Sequence, residues 1–106
     1  MEFTLKSGTN KGHRRIWIEG ERLTAAGLRR GMKLHRHMNE DGSMTLNMMP
    51  ASDAKRHTVS GKGDGQPVLD LCGKWVTTFI GDHLHFRVQA TQHGFGTDLI
   101  ITPCNG

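Results

Sequence analysis

Residues 16–49 read IWIEGERLTAAGLRRGMKLHRHMNEDGSMTLNMM, and residues 68–88, VLDLCGKWVTTFIGDHLHFRV, repeat the same order of features. Each stretch begins with an apolar strand that ends in glycine, passes through a short helical run and enters another strand. Such self-similarity indicates an internal duplication. The matched positions are Gly20 with Gly73, Leu23 with Val76, Thr24 with Thr77, Gly31 with Gly81, Leu34 with Leu84 and His35 with His85.

Each copy is expected to contain a polar strand, a Gly-rich bend, an apolar strand, a helical turn and a hairpin. Asp41-Gly42 is a strong hairpin signal, and Gly27 is placed as the left-handed residue that ends the first helix. The predicted first strands are 2–6 and 57–60, the helices 21–26 and 74–79, and the hairpins 33–38 with 44–49 and 84–90 with 98–102.

Neither copy has enough strands to bury a core alone. We therefore expect a mainly β fold with short helices, in which two tandem β-α-β-β repeats interlock. Residues 1–50 and 57–103 are the repeats, residues 51–56 are the linker, and residues 1–106 form one domain.

The 16–49 segment resembles the SymE branch of the AbrB-like (SpoVT-AbrB) superfamily. The shared pattern is a strand ending in Gly and a charged residue, then Leu, a small-residue helical turn, Gly-Leu, a basic pair, Gly and a hairpin. Residues 68–88 are similar, with Gly-Leu shortened to Ile80. The resemblance implies a swapped-hairpin-type barrel with both halves in one chain, either a monomeric pseudo-dimer or a homodimer.

The same resemblance implies a DNA-binding transcriptional regulator, such as those of toxin–antitoxin loci, or an RNA-acting toxin of the SymE kind. Tandem units of this style also resemble segments that accompany DNA methyltransferases in mobile elements. A different class stays open, namely a phage- or mobile-element-encoded anti-defence inhibitor, such as an anti-CRISPR, that binds a nuclease or blocks its nucleic-acid site.

Positive charge is concentrated in the first half of the chain. Residues 1–50 hold nine Lys and Arg against five acids, whereas residues 51–106 hold five against five. Such asymmetry suggests a polyanionic partner, with a solvated basic surface as the alternative. DNA is favoured over RNA. The candidate nucleic-acid-binding residues are Lys11, Arg14, Arg15, Arg29, Arg30, Lys33, Arg36, Lys55, Arg56 and Lys62.

The second copy departs from this pattern. Gln66 and Pro67 stand where the first copy has Arg14 and Arg15, and no basic pair follows Ile80. A reader of palindromic DNA needs two matched faces. The chain is therefore expected to bind through one face, or to use the second face for a protein partner.

Two His-x-His pairs are predicted on strands, where both members of a pair lie on one side. Brought together, His35, His37, His83 and His85 could hold a tetrahedral metal, although solvent-facing imidazoles are the favoured interpretation. No catalytic motif is recognised, so we expect a non-enzymatic protein without a cofactor. Trp17 and Trp75 are assigned to the core or an interface.

Cys72 and Cys104 are expected to be free thiols, because a disulfide scaffold has more cysteines and a zinc site has closer spacing. No segment approaches the roughly 20 apolar residues of a membrane span, and no secretion signal is recognised. We therefore expect a cytoplasmic protein without a membrane partner.

Overall fold

The computed structural model describes residues 1–50, 55–61, 63, 65–94 and 96–106, which form a mainly β structure with two short helices. In chain order the elements are β1 (Glu2–Lys6), β2 (Gly8–Asn10), β3 (His13–Glu19), α1 (Glu21–Ala25), β4 (Lys33–Met38), β5 (Met44–Asn47), β6 (Lys55–Thr58), β7 (Ser60–Gly61), β8 (Pro67–Cys72), α2 (Lys74–Ile80), β9 (His85–His93) and β10 (Gly96–Cys104).

Six strands form an antiparallel sheet in the order β1-β9-β10-β5-β4-β6. Its centre is the pairing of β5 with β10, where Leu46 lies opposite Leu99 and Met44 lies opposite Ile101. All four side chains are buried. The middle of this sheet is therefore a contact between residues from the two halves of the chain.

The remaining strands form a four-stranded antiparallel sheet in the order β2-β3-β8-β7. The predicted apolar alternation is visible here, because Ile16 lies opposite Leu71 and Ile18 lies opposite Leu69, all of them buried. A single hydrophobic cluster draws on both sheets and both helices. Burial of these alternating positions gives the strands one apolar face each.

The chain passes from one sheet to the other at Ser7 and again at Val59, and both residues are buried. The Ser7 amide donates to the carbonyl oxygen of Leu84 at 2.9 Å, and the Val59 amide donates to that of Met32 at 2.8 Å. As a result β1 lies beside β9 of the second half, and β6 lies beside β4 of the first half.

Both helices are short and begin after a glycine with positive φ, Gly20 at 72° and Gly73 at 133°. Leu23 of α1 and Val76 of α2 are buried, so tertiary packing stabilises these turns. Gly27 has the expected left-handed φ of 85°. Within the described ranges, neither helix has the length or apolar character required to span a membrane.

The β4–β5 hairpin forms where Asp41-Gly42 predicts it. Gly42 has a φ of 88°, and Asp41 Oδ1 accepts hydrogen bonds from the amide and the hydroxyl of Ser43 at 2.9 and 2.6 Å. These bonds to the charged form lower the pKa of Asp41. Cys72 and Cys104 are free, as expected.

Three details of the expected fold differ from the structure. β6 begins at Lys55, so the last two residues of the predicted linker 51–56 belong to a strand, and residues 51–54 lie outside the described ranges. The described strands form two sheets rather than a closed barrel. The match of Leu34 with Leu84 is also wrong, because Leu34 is fully buried on β4 whereas Leu84 is 56% exposed and precedes β9. Phe86, two residues later, fills the buried position. Side chains along a strand alternate between its two sides, so every second residue points inward.

Leu46→Ala is expected to lower the free energy of unfolding by about 2–5 kcal/mol, because it opens a cavity at the centre of the six-stranded sheet. Leu84→Ala is the matched control at an exposed position and should change it by no more than about 0.5 kcal/mol. Urea denaturation followed by circular dichroism measures both. Equal effects of the two substitutions would contradict the position of the core.

Candidate nucleic-acid interface

Several predicted cations come together at one corner of the six-stranded sheet, where β6 forms its edge beside β4. Strand pairing places Arg36 opposite Lys55 and His35 opposite Arg56, although these residues are far apart in sequence. We call this surface the basic corner. It comprises Arg29, Arg30, Lys33, Arg36, Lys55 and Arg56.

The cations of the basic corner project from both sides of the sheet edge. Arg36 is two residues from the buried Leu34 and therefore shares its inward side, as does the opposing Lys55. Lys33 and Arg56 lie on the outward side. Arg30 belongs to the loop before β4, and its aliphatic stem packs on Gly61 so closely that no Cβ fits there.

No acid balances the charge of the basic corner in the part of the chain that the structure describes. The ion pairs seen among the described residues lie elsewhere and join Arg15 to Asp70, Arg87 to Glu2 and His93 to Asp98. Two like charges directly opposite each other on neighbouring strands, as Arg36 and Lys55 are, destabilise a sheet. Within the described ranges, the corner thus retains positive charge that no ion pair compensates, at a cost in stability.

A groove lies beside the basic corner, between the inner side of β4 and helix α2. We call it the α2 groove. It has a volume of about 530 Å³ and adjoins a second cavity of about 310 Å³, to which Arg36, His37, Met38 and Lys55 contribute. The α2 groove is lined by Arg36, Met38, Lys74, Trp75, Thr78 and Phe79.

Arg36 lines both cavities and is held in place by Trp75. Its guanidinium carbon lies 3.6 Å from the centre of the Trp75 ring system, which is a close cation–π contact. Arg36 Nη1 is buried and has no hydrogen-bond partner among the described residues. Desolvation lowers the pKa of Arg36. A positioned guanidinium with an unsatisfied donor is suited to an external acceptor such as a phosphate or a base oxygen.

His57 packs on the same indole, with the ring centroids 5.5 Å apart. Burial lowers the pKa of His57, and the nearby charge of Arg36 lowers it further. The imidazole is consequently neutral near pH 7 and contributes no charge to the basic corner.

Arg14, which was predicted to bind nucleic acid, is engaged inside the protein. Its Nη2 donates to the Ser7 hydroxyl and to the carbonyl oxygen of His83 at 2.8 Å, and Nη1 lies 3.5 Å from the carbonyl oxygen of Gly81. These bonds join the bend after β1 to the segment that follows α2. The structure thus gives Arg14 a role in holding the two halves together.

Arg15 is also paired. Its Nε and Nη2 donate to the two carboxylate oxygens of Asp70 at 2.8 and 2.9 Å, and its guanidinium carbon lies 4.3 Å from the Trp17 ring centre. The hydrogen bond to Asp70 is the main cause that raises the pKa of Arg15. Lys11 is exposed in the turn between β2 and β3, and Lys62 lies outside the described residues.

The two histidine pairs do not meet. β9 and β4 are separated by β10 and β5, so three strand spacings, about 14 Å in all, lie between His85 and the pair His35–His37. His83 precedes β9 instead of lying on it, and its Nδ1 is 3.0 Å from the carbonyl oxygen of Ile80. Among the described residues, no three or more His, Cys, Asp or Glu are grouped as metal ligands.

The sequence assigned Trp75 to the core or an interface and did not single out Lys74 or Phe79 as site residues. One signal was available in the predicted repeat, since its alignment places Trp75 where the first copy has Arg22. Trp75 and Phe79 are half-buried and pack against the core, so one part of each ring is covered while another lines the groove.

Comparisons of the chain with protein-family models, curated proteins and solved structures give no match. Its function must therefore be argued from its own geometry.

Arg14→Ala is expected to lower the free energy of unfolding by about 1–3 kcal/mol, because it removes the bonds to Ser7 and His83 and leaves their oxygens without this donor. Arg29→Ala, at an exposed position, should change it by no more than about 0.5 kcal/mol. Thermal and urea denaturation compare the two. A neutral Arg14→Ala would contradict the structural role of this residue.

The stability of the protein is expected to fall as the pH is lowered from 7 to 5. The pKa of His57 in the folded state lies below the unfolded value of about 6.5. The unfolded chain therefore takes up the proton first, which favours unfolding below that pH. Urea denaturation at both pH values should show a smaller loss for His57→Gln. An equal loss in both proteins would exclude His57 as a source of the dependence.

Proposed function

We propose that this protein is a non-enzymatic nucleic-acid-binding protein, a cytoplasmic DNA-binding regulator of the AbrB/SymE-like kind, which binds the phosphate backbone through the basic corner. The observation that carries this proposal is the cluster of cations on β4, β6 and the preceding loop, none of which forms an ion pair with another described residue. Cationic side chains on a rigid edge release counterions from phosphates, so they favour binding without a specific base sequence.

The fold behind the site is, in this proposal, a tandem duplication whose two copies exchange their first strands. The strand orders support this proposal. If each strand of the first half is exchanged with its counterpart in the second half, both sheets keep the same strand order, read from the opposite edge. β1 adds to the hairpin of the second copy, and β6 adds to that of the first. Both halves of a swapped-hairpin arrangement would then come from one chain.

The duplication also supports binding through one corner. The pairing that places Arg36 opposite Lys55 on β4 and β6 has its counterpart on β9 and β1, where Val88 lies opposite Phe3. At that second corner, Arg87 is 3.9 Å from Glu2. The two corners share their backbone arrangement but differ in charge, so a single phosphate-binding face fits the chain better than two matched faces.

A protein partner is the second candidate, because apolar side chains are exposed near the first hairpin. Met38, Met48 and Met49 are 56%, 43% and 56% exposed, and such residues are adaptable contacts at protein interfaces. Together with the basic corner, they would fit an acidic surface on a nuclease, as an anti-defence inhibitor requires.

Fluorescence anisotropy with labelled duplex DNA across a salt series tests the leading proposal. We expect binding that weakens as salt is raised. Arg29→Ala/Arg30→Ala should weaken it further and reduce the salt slope by about 1.8, since each phosphate contact contributes about 0.9. The control is Lys6→Ala/Arg87→Ala, which also removes two positive charges, but from β1 and β9 at the opposite edge of the sheet.

The absence of binding at low salt would overturn this proposal and favour the protein partner. Equal losses in the corner variant and the control would show that net charge, rather than the basic corner, governs affinity.

A further inference from the structure

We infer that the α2 groove binds one unstacked nucleotide, so that the protein prefers single-stranded nucleic acid to a duplex of the same sequence. This inference rests on the proposed function and gives Arg36 and Lys55 of the basic corner a second role, together with the groove residues of α2 beside it. The basic corner needs only phosphates, which duplexes and single strands both present. The groove adds a requirement for an accessible base.

The lining of the groove offers the two kinds of contact that a nucleotide makes, an aromatic surface for its base and positive charge for its phosphates. Trp75, Phe79 and Met38 supply an apolar and aromatic wall, and Arg36 and Lys74 supply positive charge. Bases in single strands stack on aromatic rings and on guanidinium planes, while cations alongside follow the backbone. The volume of about 530 Å³ lies in the range of small-ligand sites.

Arg36 is the residue that argues most strongly for an occupant. The 3.6 Å contact with Trp75 holds the guanidinium against the indole, and the buried Nη1 finds no acceptor among the described residues. An unsatisfied donor of this kind is costly unless a ligand pairs with it. A base carbonyl or ring nitrogen in the groove, or its attached phosphate, would accept from it.

Charge distinguishes this groove from an ordinary gap between a helix and a sheet. Lys74 borders it on α2, and the adjoining cavity ends on Lys55 of β6. A strand of nucleic acid could thus place one base against Trp75 while its flanking phosphates meet Lys74 on one side and Lys55 on the other. The basic corner continues this positive path along β4 and β6.

A duplex cannot use this groove without local opening. Its bases are stacked inside the helix and reach a protein pocket only when they are flipped out, which costs unpairing and unstacking. The duplex would therefore be held by the basic corner alone, and the single strand by the corner and the groove together.

The test uses a Trp17→Phe protein, in which Trp75 is the remaining tryptophan and reports directly on the groove. Its fluorescence and the anisotropy of labelled DNA are measured with a single strand of about 12 nucleotides, within the usual site sizes, and with the matching duplex. We expect the single strand to bind about tenfold more tightly, as one stacked base allows, and to quench Trp75, whereas the duplex leaves Trp75 unchanged.

Two substitutions in the same background should remove the preference. Arg36→Met takes away the stacking plane and the free donor, and Lys74→Glu reverses an exposed charge at the rim without touching the core. Their controls make the same charge changes elsewhere. Arg22→Met removes an arginine from above Phe3, at 5.1 Å, and Lys6→Glu reverses an exposed lysine on β1.

The outcomes separate the inference from the function on which it rests. Salt-dependent duplex binding with no single-strand preference and no quenching would overturn the groove assignment and leave the proposed function intact. Failure to bind either oligonucleotide would overturn both. Quenching of Trp75 by an acidic peptide, but by no oligonucleotide, would assign the groove to a protein partner and likewise overturn this inference.

Discussion

The structure depends on antiparallel pairing between the two halves of the chain. In the four-stranded sheet β3 pairs with β8, and in the six-stranded sheet β5 pairs with β10. The side chains at these contacts, such as Ile18 opposite Leu69 and Leu46 opposite Leu99, are buried. Neither half has strands enough to cover these apolar faces alone, so each half supplies the surface on which the other folds. The pairing of β6 with β4, which places Lys55 opposite Arg36, joins the two halves in the same way.

Local features of the fold could be predicted from the sequence, because they depend on residues close together. The alternation of Ile16 and Ile18 predicted β3, Asp41-Gly42 predicted the β4–β5 hairpin, and Gly27 predicted the end of α1. Periodicity identifies the inward side of a strand but does not identify its neighbour. The division into two sheets, and the two-residue shift that puts Phe86 where Leu84 was expected, therefore emerged only with the structure.

For the candidate site, too, local features could be predicted from the sequence, whereas features that depend on distant partners could not. Composition indicated which part of the chain is basic, but the state of each cation depends on distant partners. Arg14 meets His83 and Arg15 meets Asp70 across long sequence separations, and these contacts engage the Nη atoms of Arg14 and the Nε and Nη2 of Arg15. Arg36 meets Trp75 instead, which holds its guanidinium in place while leaving one donor unsatisfied. An arginine bound to a carboxylate and one stacked on an indole are alike in sequence and different in what they offer a ligand.

The pairing of β1 with β9 has a consequence for the order of synthesis. β1 leaves the ribosome well before its partner β9, since Glu2 pairs with Gln89. Until β9 has been synthesised, β1 has no strand partner on that edge. Unpaired strand edges promote association between chains. Glu2, Thr4 and Lys6 alternate with Phe3 and Leu5 along this strand. Charged side chains such as Glu2 and Lys6 are of the kind that discourages edge-to-edge association of an unpaired strand.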